Sequence, residues 1–200
     1  MQPSVFYPIV PDVGWLSRIV PLGVGTVQLR IKDQPLDVVA AAIAQALEIT
    51  RRSSCQLIVN DYWQQAIDAG ADYIHLGQED LAIADLKAIR ASGARLGIST
   101  HDAQELDIAL AAGADYVALG PVYATRLKVM RWEPQGLDRV RQWKKTIGKI
   151  PLVAIGGMTP ARAPGVLAAG ADSLAVITDV MTDPQPEARI RTWLRDLADR

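Results

Sequence analysis

Residues 56–80, QLIVNDYWQQAIDAGADYIHLGQED, constrain the fold more than any other stretch of the chain. Leu57-Ile58-Val59 is a short apolar run, rich in β-branched residues and bounded by polar ones, and reads as a buried strand. Asn60-Asp61 closes it, Trp63 to Ala69 follow with helical spacing, and Gly70 supplies the residue type suited to a left-handed helix end. A second strand, Tyr73 to Leu76, runs into Gly77-Gln78-Glu79-Asp80. This is one strand–helix–strand unit with a carboxylate just past each strand. If the strands are parallel neighbours, Asp61 and Asp80 emerge at the same end of the sheet. Two acids on one rim suit a divalent cation, and such an ion commonly brings a phosphorylated ligand.

The same unit recurs along the chain. Strands are expected at Phe6 to Val10 (despite Pro8), Thr26 to Ile31, Arg95 to Ser99, Tyr116 to Leu119, Leu152 to Ile155 and Leu174 to Ile177. Helices are expected at Trp15 to Leu22, Pro35 to about Arg52, Leu81 to Ala91, after Asp102, around Leu137 to Ile147, after Thr159-Pro160, and over Ile190 to Leu197. Asp102 and Glu105 have the spacing of a capping box. The phrase Ala-Gly-Ala-Asp occurs at 69–72, 112–115 and 169–172, each time where a helix hands over to a strand. Its unequal intervals mark a repeated joint rather than a solenoid. Eight strand–helix units with short connections predict an α/β chain folded as a single (β/α)8 TIM barrel across residues 1–200. An open doubly wound sheet would carry a glycine-rich dinucleotide loop after its first strand, and none is visible.

Composition narrows the function classes. Half the residues are apolar and 22% are charged, which is the balance of a globular chain with a substantial core. A net charge of −1 argues against a broad nucleic-acid or membrane surface. The lone Cys55 excludes an intramolecular disulfide, and its place at the start of an apolar strand predicts a buried, inert thiol. With no secretory leader and no run of membrane-spanning length, a cytoplasmic protein is expected.

Several residues carry possible chemistry. In Gln28-Leu29-Arg30-Ile31-Lys32 the polar residues share one face and the apolar ones the other, so the polar set should point inward at the barrel mouth. Two cations there are expensive to bury without an anionic partner. Asn60, Asp61 and Asp80 could equally be helix caps, but their places on adjacent strand ends facing those cations favour a metal. Ile155-Gly156-Gly157-Met158-Thr159-Pro160 turns through two glycines into a helix, where exposed amides can cradle a phosphate together with the loop opening at Thr178-Asp179. The long connection Gly120 to Gly136, with Arg126 and Lys128 near its middle, belongs on the catalytic face. His75, within a strand, is expected to be a hydrogen-bonded core residue. His101, at a strand end, has an acid–base role open to it. Helix packing is the expected role of most of the five tryptophans.

Taken together, VQLRIKD, IVNDYWQQAIDAGADYIHLGQEDL, LGISTHD, GADYVALGPVYATRLK and VAIGGMTPARAPGVLAAGAD resemble the thiamine phosphate synthase family, over about residues 26–181. The resemblance implies a (β/α)8 barrel and a transferase that joins hydroxymethylpyrimidine pyrophosphate to thiazole phosphate with Mg²⁺, releasing pyrophosphate through a pyrimidine carbocation. It implies substrate contacts from Gln28, Arg30, Lys32, Asn60, Ser99, Thr125 and Lys128, with Arg30, Ser99 and Lys128 acting on the departing pyrophosphate. It further implies Mg²⁺ at Asp61 and Asp80, and thiazole phosphate at the backbone amides of Gly157, Ile177 and Thr178. Three departures stand out: Ala124-Thr125-Arg126-Leu127-Lys128 replaces Pro-Thr-x-Thr-Lys, Val10-Pro11-Asp12 replaces a strand end in Thr-Asp, and Thr178 replaces serine. The related thiazole tautomerase shares the barrel, needs neither Mg²⁺ nor pyrophosphate, and uses a histidine in the position of His101. A barrel that binds thiazole or thiamine phosphate without chemistry is the third reading, supported by the altered loop alone. The polar set of Arg30, Lys32, Asn60, Asp61, Asp80 and Lys128 favours the synthase, since a tautomerase needs no pyrophosphate clamp. Whether the chain forms a homo-oligomer stays open at this point.

Overall fold

Parallel strands cannot be joined by tight hairpins, so a chain of short apolar strands separated by amphipathic helices must cross over the sheet at every step. The computed structural model, which describes residues 2–125 and 132–198, shows those crossovers closing on themselves. Strands β1 (Phe6–Val10), β2 (Thr26–Leu29), β3 (Gln56–Asn60), β4 (Tyr73–Leu76), β5 (Arg95–Thr100), β6 (Tyr116–Leu119), β7 (Leu152–Ile155) and β8 (Ser173–Val176) form a closed barrel in sequence order. Each pairs in parallel with the next, and β8 returns to β1 through Phe6 opposite Leu174 and Pro8 opposite Val176. The expected (β/α)8 barrel is therefore the observed one, and Pro8 is accommodated within it.

Alternation along the strands separates two cores. Residues such as Val27, Leu29, Val59, Ile74, Leu76, Val117 and Leu119 face outward and pack under the helices. Tyr7, Ile9, Ile58, Tyr73, Tyr116, Ala118, Val153 and Ala175 face inward and fill the barrel. Each fully buried aliphatic side chain of this kind contributes roughly 1.5–3 kcal/mol. Space inside is tight: a Cβ on Gly97 would stand 1.9 Å from the Tyr116 ring, so β5 must present a bare backbone beside that tyrosine.

Ten helices line the outside among the described residues: α1 (Val13–Ile19), α2 (Leu36–Arg52), α3 (Trp63–Asp68), α4 (Gln78–Ile83), α5 (Leu86–Ala91), α6 (Ala103–Ala111), α7 (Gly136–Ile147), α8 (Ala163–Ala168), α9 (Thr178–Met181) and α10 (Pro186–Asp196). Trp143 on α7 and Trp193 on α10 are fully buried, and their indole N–H groups donate to Thr100 Oγ1 at 3.0 Å and Asp179 Oδ2 at 2.7 Å. Trp193 also stacks on Phe6 of β1 at 5.2 Å, so these two tryptophans do serve helix packing. The repeated Ala-Gly-Ala-Asp joint has a structural use as well. Asp115 accepts from the Leu96 amide at 2.8 Å and Asp172 from the Leu152 amide at 2.7 Å, each carboxylate tying its own joint to the start of the preceding strand.

Four local expectations need correcting. The segment Leu81 to Ala91 is two helices, because Asp85 takes the Lys87 and Ala88 amides at 2.9 and 3.0 Å and so caps a new start at Leu86. The first helix begins at Val13, capped by Asp12, and gives way to a 3-10 turn over Val20–Leu22. Thr159-Pro160 opens a turn, with the Thr159 carbonyl accepting from Arg162 and Ala163, while α8 starts only at Ala163. Asp102 caps α6 as expected, yet Glu105 reaches back to the His101 amide at 2.7 Å, one residue beyond the capping-box partner, the Asp102 amide.

Candidate active site

The strand ends that open the barrel on its C-terminal side gather most of the singled-out residues. Strand β2 ends at Leu29, earlier than the pattern suggests, and Arg30 continues its line, its amide N–H donating to the Val10 carbonyl at 2.8 Å. Gln28 is buried inside the barrel, whereas Arg30 and Lys32 are exposed at the mouth. The two cations are not equivalent. Lys32 Nζ sits 2.5 Å from Asp61 Oδ2, while among the described residues no ion pair engages Arg30.

Asp61 and Asp80 do converge. Asp61 follows β3 in the left-handed region at φ 67°, its amide donating to the His75 carbonyl at 2.9 Å. This backbone costs most L-residues energy, but Asp and Asn tolerate it well. Burial, reinforced by the Asp61 charge and a hydrogen bond between the two carboxyl groups, holds Asp80 above the ordinary carboxylate range. The capping alternative fails at both positions: α3 is preceded by Tyr62 and α4 by Gly77, and neither helix has a side-chain cap. Two touching carboxylates, unexplained by capping, offer hard oxygen donors of the kind Mg²⁺ takes from protein while completing its shell with water and phosphate.

Across the mouth, β7 leads into Gly156 and Gly157, both with positive φ (100° and 64°). A Cβ at Gly157 would lie 2.7 Å from the Ala124 carbonyl oxygen, so the turn and the start of the 120–136 connection pack backbone on backbone. That connection is tied at both ends: Val122 and Tyr123 amides donate to Ile155 and Gly156 carbonyls, and Gln135 and Gly136 amides donate to Pro121 and Val122. Thr125 lies on its first arm, while Arg126, Leu127 and Lys128 fall outside the described residues. Beside the twin glycines, Ile177 precedes α9 and Thr178 begins it. The first amides of such a turn have no partners within the helix. Asp179 fixes this turn from behind, accepting from Arg189 at 2.6 and 2.8 Å and from Trp193 at 2.7 Å.

Asn60 and His75 are buried and face each other across β3 and β4. Burial pushes His75 down to about 4, so the ring is neutral at physiological pH. Its Nδ1 meets the Tyr116 hydroxyl and its Nε2 meets Ser99 Oγ, both at 2.8 Å. The Ser99 carbonyl accepts from Gln78 at 2.6 Å. His75 is thus the hydrogen-bonded interior histidine expected, and Ser99 is held by a partner that the sequence alone did not supply. His101 turns the other way, with Nδ1 on Glu105 at 2.7 Å and its ring stacked on Trp132 at 5.7 Å. Cys55 is inert as expected, its thiol pushed up to about 12 by burial. Tyr7, Gln78, Tyr116 and Asp179 escaped the sequence reading. For the two tyrosines a signal did exist: period-two spacing places Tyr7 with Ile9 and Tyr116 with Ala118 on the inward face.

Enzymes of this architecture carry their chemistry on the rim described, and by fold the chain is of the (β/α)8 barrel class. The profile of the family described as thiamine monophosphate synthase matches residues 7–180. The chain is 57% identical to a thiamine-phosphate synthase of Rhizobium etli over 194 residues, covering 97% of this chain and 95% of the relative. It is 48% identical to the thiamine-phosphate synthase of Escherichia coli K12 over 177 residues, or 88% and 84% of the two chains. A solved thiamine phosphate pyrophosphorylase of Pyrococcus furiosus superposes with a TM-score of 0.85 at 28% identity, over 97% of this chain and 95% of that one. The chain belongs to the thiamine monophosphate synthase family and is a transferase. None of its described helices is long and apolar enough to cross a membrane.

Proposed function

We propose that this chain joins hydroxymethylpyrimidine pyrophosphate to thiazole phosphate, in a Mg²⁺-dependent reaction that releases pyrophosphate. The observation that carries this reading is the contact between Asp61 and Asp80, two carboxyl groups that cap no helix, at a mouth where Arg30 has no ion-pair partner among the described residues. Carboxylates are held together against their own repulsion where a cation is to be shared. Bound there, Mg²⁺ would help spread the charge of the leaving pyrophosphate.

The chain's own residues account for the rest. Arg30, and Lys128 from the long connection, oppose the negative charge that develops as the carbon–oxygen bond to pyrophosphate breaks. Lys32 and Asn60 border the same group, and Ser99 offers it a hydroxyl. Gln28 and the aromatic floor beneath it face the pyrimidine, whose methylene carbon becomes a cation stabilised by the electron-rich ring. Thr125 borders the substrates from the first arm of the connection. The backbone amides of Gly157, Ile177 and Thr178 hold the thiazole phosphate so that the thiazole nitrogen captures that carbon. No protein nucleophile is needed. A single thiol made inert by burial accords with a cytoplasmic setting.

Purified protein mixed with both substrates and Mg²⁺ should release pyrophosphate and form thiamine phosphate in equal amounts, and a chelator should stop both. Absence of pyrophosphate under these conditions would defeat the reading.

A further inference from the structure

A line of polar groups crosses the barrel interior from β2 to β5. Gln28 Nε2 donates to the Tyr7 hydroxyl, which lies 3.2 Å from the Tyr116 hydroxyl. Tyr116 in turn meets His75 Nδ1, and His75 Nε2 meets Ser99 Oγ, each at 2.8 Å. Tyr7 and Tyr116 are each 1% exposed, Gln28 2% and His75 6%, so these groups must satisfy one another.

The direction of the line follows from its first member. An amide N–H can only donate, so the Tyr7 oxygen accepts from Gln28 and its own proton goes to Tyr116. Tyr116 must then donate to His75 Nδ1. A neutral imidazole that accepts at Nδ1 carries its proton on Nε2, and that N–H donates to Ser99 Oγ. With the reverse polarity the Tyr7 oxygen would accept from both Gln28 and Tyr116, and its own buried O–H would have no acceptor among the described residues. With Ser99 already accepting, its own O–H has no acceptor among the described residues and can turn to a ligand at the mouth.

We propose that Tyr7 and Tyr116 are positioning residues, which with Gln28 fix His75 as the Nε2–H tautomer and thereby present the Ser99 hydroxyl as a donor to an anionic ligand. Only the identity of that ligand, the pyrophosphate group, rests on the synthase reading. Without the line, Ser99 could donate back to His75 and turn lone pairs toward a ligand that itself only accepts.

Nitrogen-15 spectra of protein labelled in its two histidine rings, assigned with His101→Gln, test the orientation directly near neutral pH. The wild type should show His75 protonated at Nε2 and bare at Nδ1, and Tyr116→Phe or Tyr7→Phe should shift that signature. Calorimetry with inorganic pyrophosphate and Mg²⁺ tests the consequence. Tyr116→Phe should weaken binding by about tenfold, the order expected for one hydrogen bond to a charged group. In a Ser99→Ala background the same change should do nothing further, whereas a role in general packing would add its loss in full. A wild-type His75 protonated at Nδ1, or additive losses in that cycle, would overturn the proposal. The expected tautomer with no pyrophosphate affinity would instead defeat the synthase reading and leave the orientation of Ser99 supported.

Discussion

Asp61 and Asp80 show how a residue can be costly to the fold and valuable to the site. Asp61 occupies a left-handed backbone, and Asp80 is held above the usual carboxylate range first by burial and then by its neighbour's charge. The sign of the pH effect follows: the folded state holds the Asp80 proton more tightly than the unfolded chain, so stability falls as pH rises through the carboxylate range. Asp80→Asn removes that loss. In the presence of chelator its Tm should exceed the wild-type value at about pH 7, and the gap should narrow toward about pH 3. Asp61→Asn should also fold, since Asn tolerates the same φ. Turnover with Mg²⁺ should nonetheless drop in both variants by roughly 10²–10³, the usual loss for one preorganised electrostatic group. Equal turnover at unchanged Mg²⁺ dependence would remove the metal assignment.

Among the elements, α9 is held to α10 through one side chain, Asp179. Asp179 ties Thr178 and the turn before it to Arg189 and Trp193 of α10. Asp179→Ala leaves a half-buried guanidinium and a buried indole N–H without their acceptor, and should cost about 2–4 kcal/mol in urea unfolding. The same variant should raise KM for thiazole phosphate more than KM for the pyrophosphate substrate, because the turn it loosens belongs to the cradle proposed for the former. The element scale is also where the sequence was only partly legible. Strand periodicity located all eight strands, yet the break between α4 and α5 depended on Asp85 competing for two amides, a local contest that apolar spacing does not register. Capping stood as the alternative for Asp61 and Asp80 for the converse reason: residue type suggested it, and backbone geometry gave the cap positions to Tyr62 and Gly77. The tyrosines beneath the mouth read as ordinary strand formers, because a hydrogen-bond line across a barrel joins residues as far apart as Tyr7 and Tyr116.

For the whole molecule, closure of the sheet is what turns separate strand ends into one site. It brings β8 back beside β1, sets the twin glycines opposite Asp61 and Asp80, and seals an interior packed around Tyr116. Gly97→Ala probes that packing: its Cβ would overlap the Tyr116 ring, and overpacking of this sort should cost about 1–3 kcal/mol by thermal or urea unfolding. The proposed reaction turns on charge at the mouth rather than on proton transfer at His101. Turnover of the two-substrate mixture by Arg30→Ala and His101→Ala, measured beside the wild type with melts to exclude misfolding, separates the two most directly. Arg30→Ala should lose on the order of 10²–10³ in product formation, while His101→Ala, which removes a ring engaged by Glu105 and Trp132, should retain most of it. Full activity in Arg30→Ala together with a dead His101→Ala would contradict the proposed reaction.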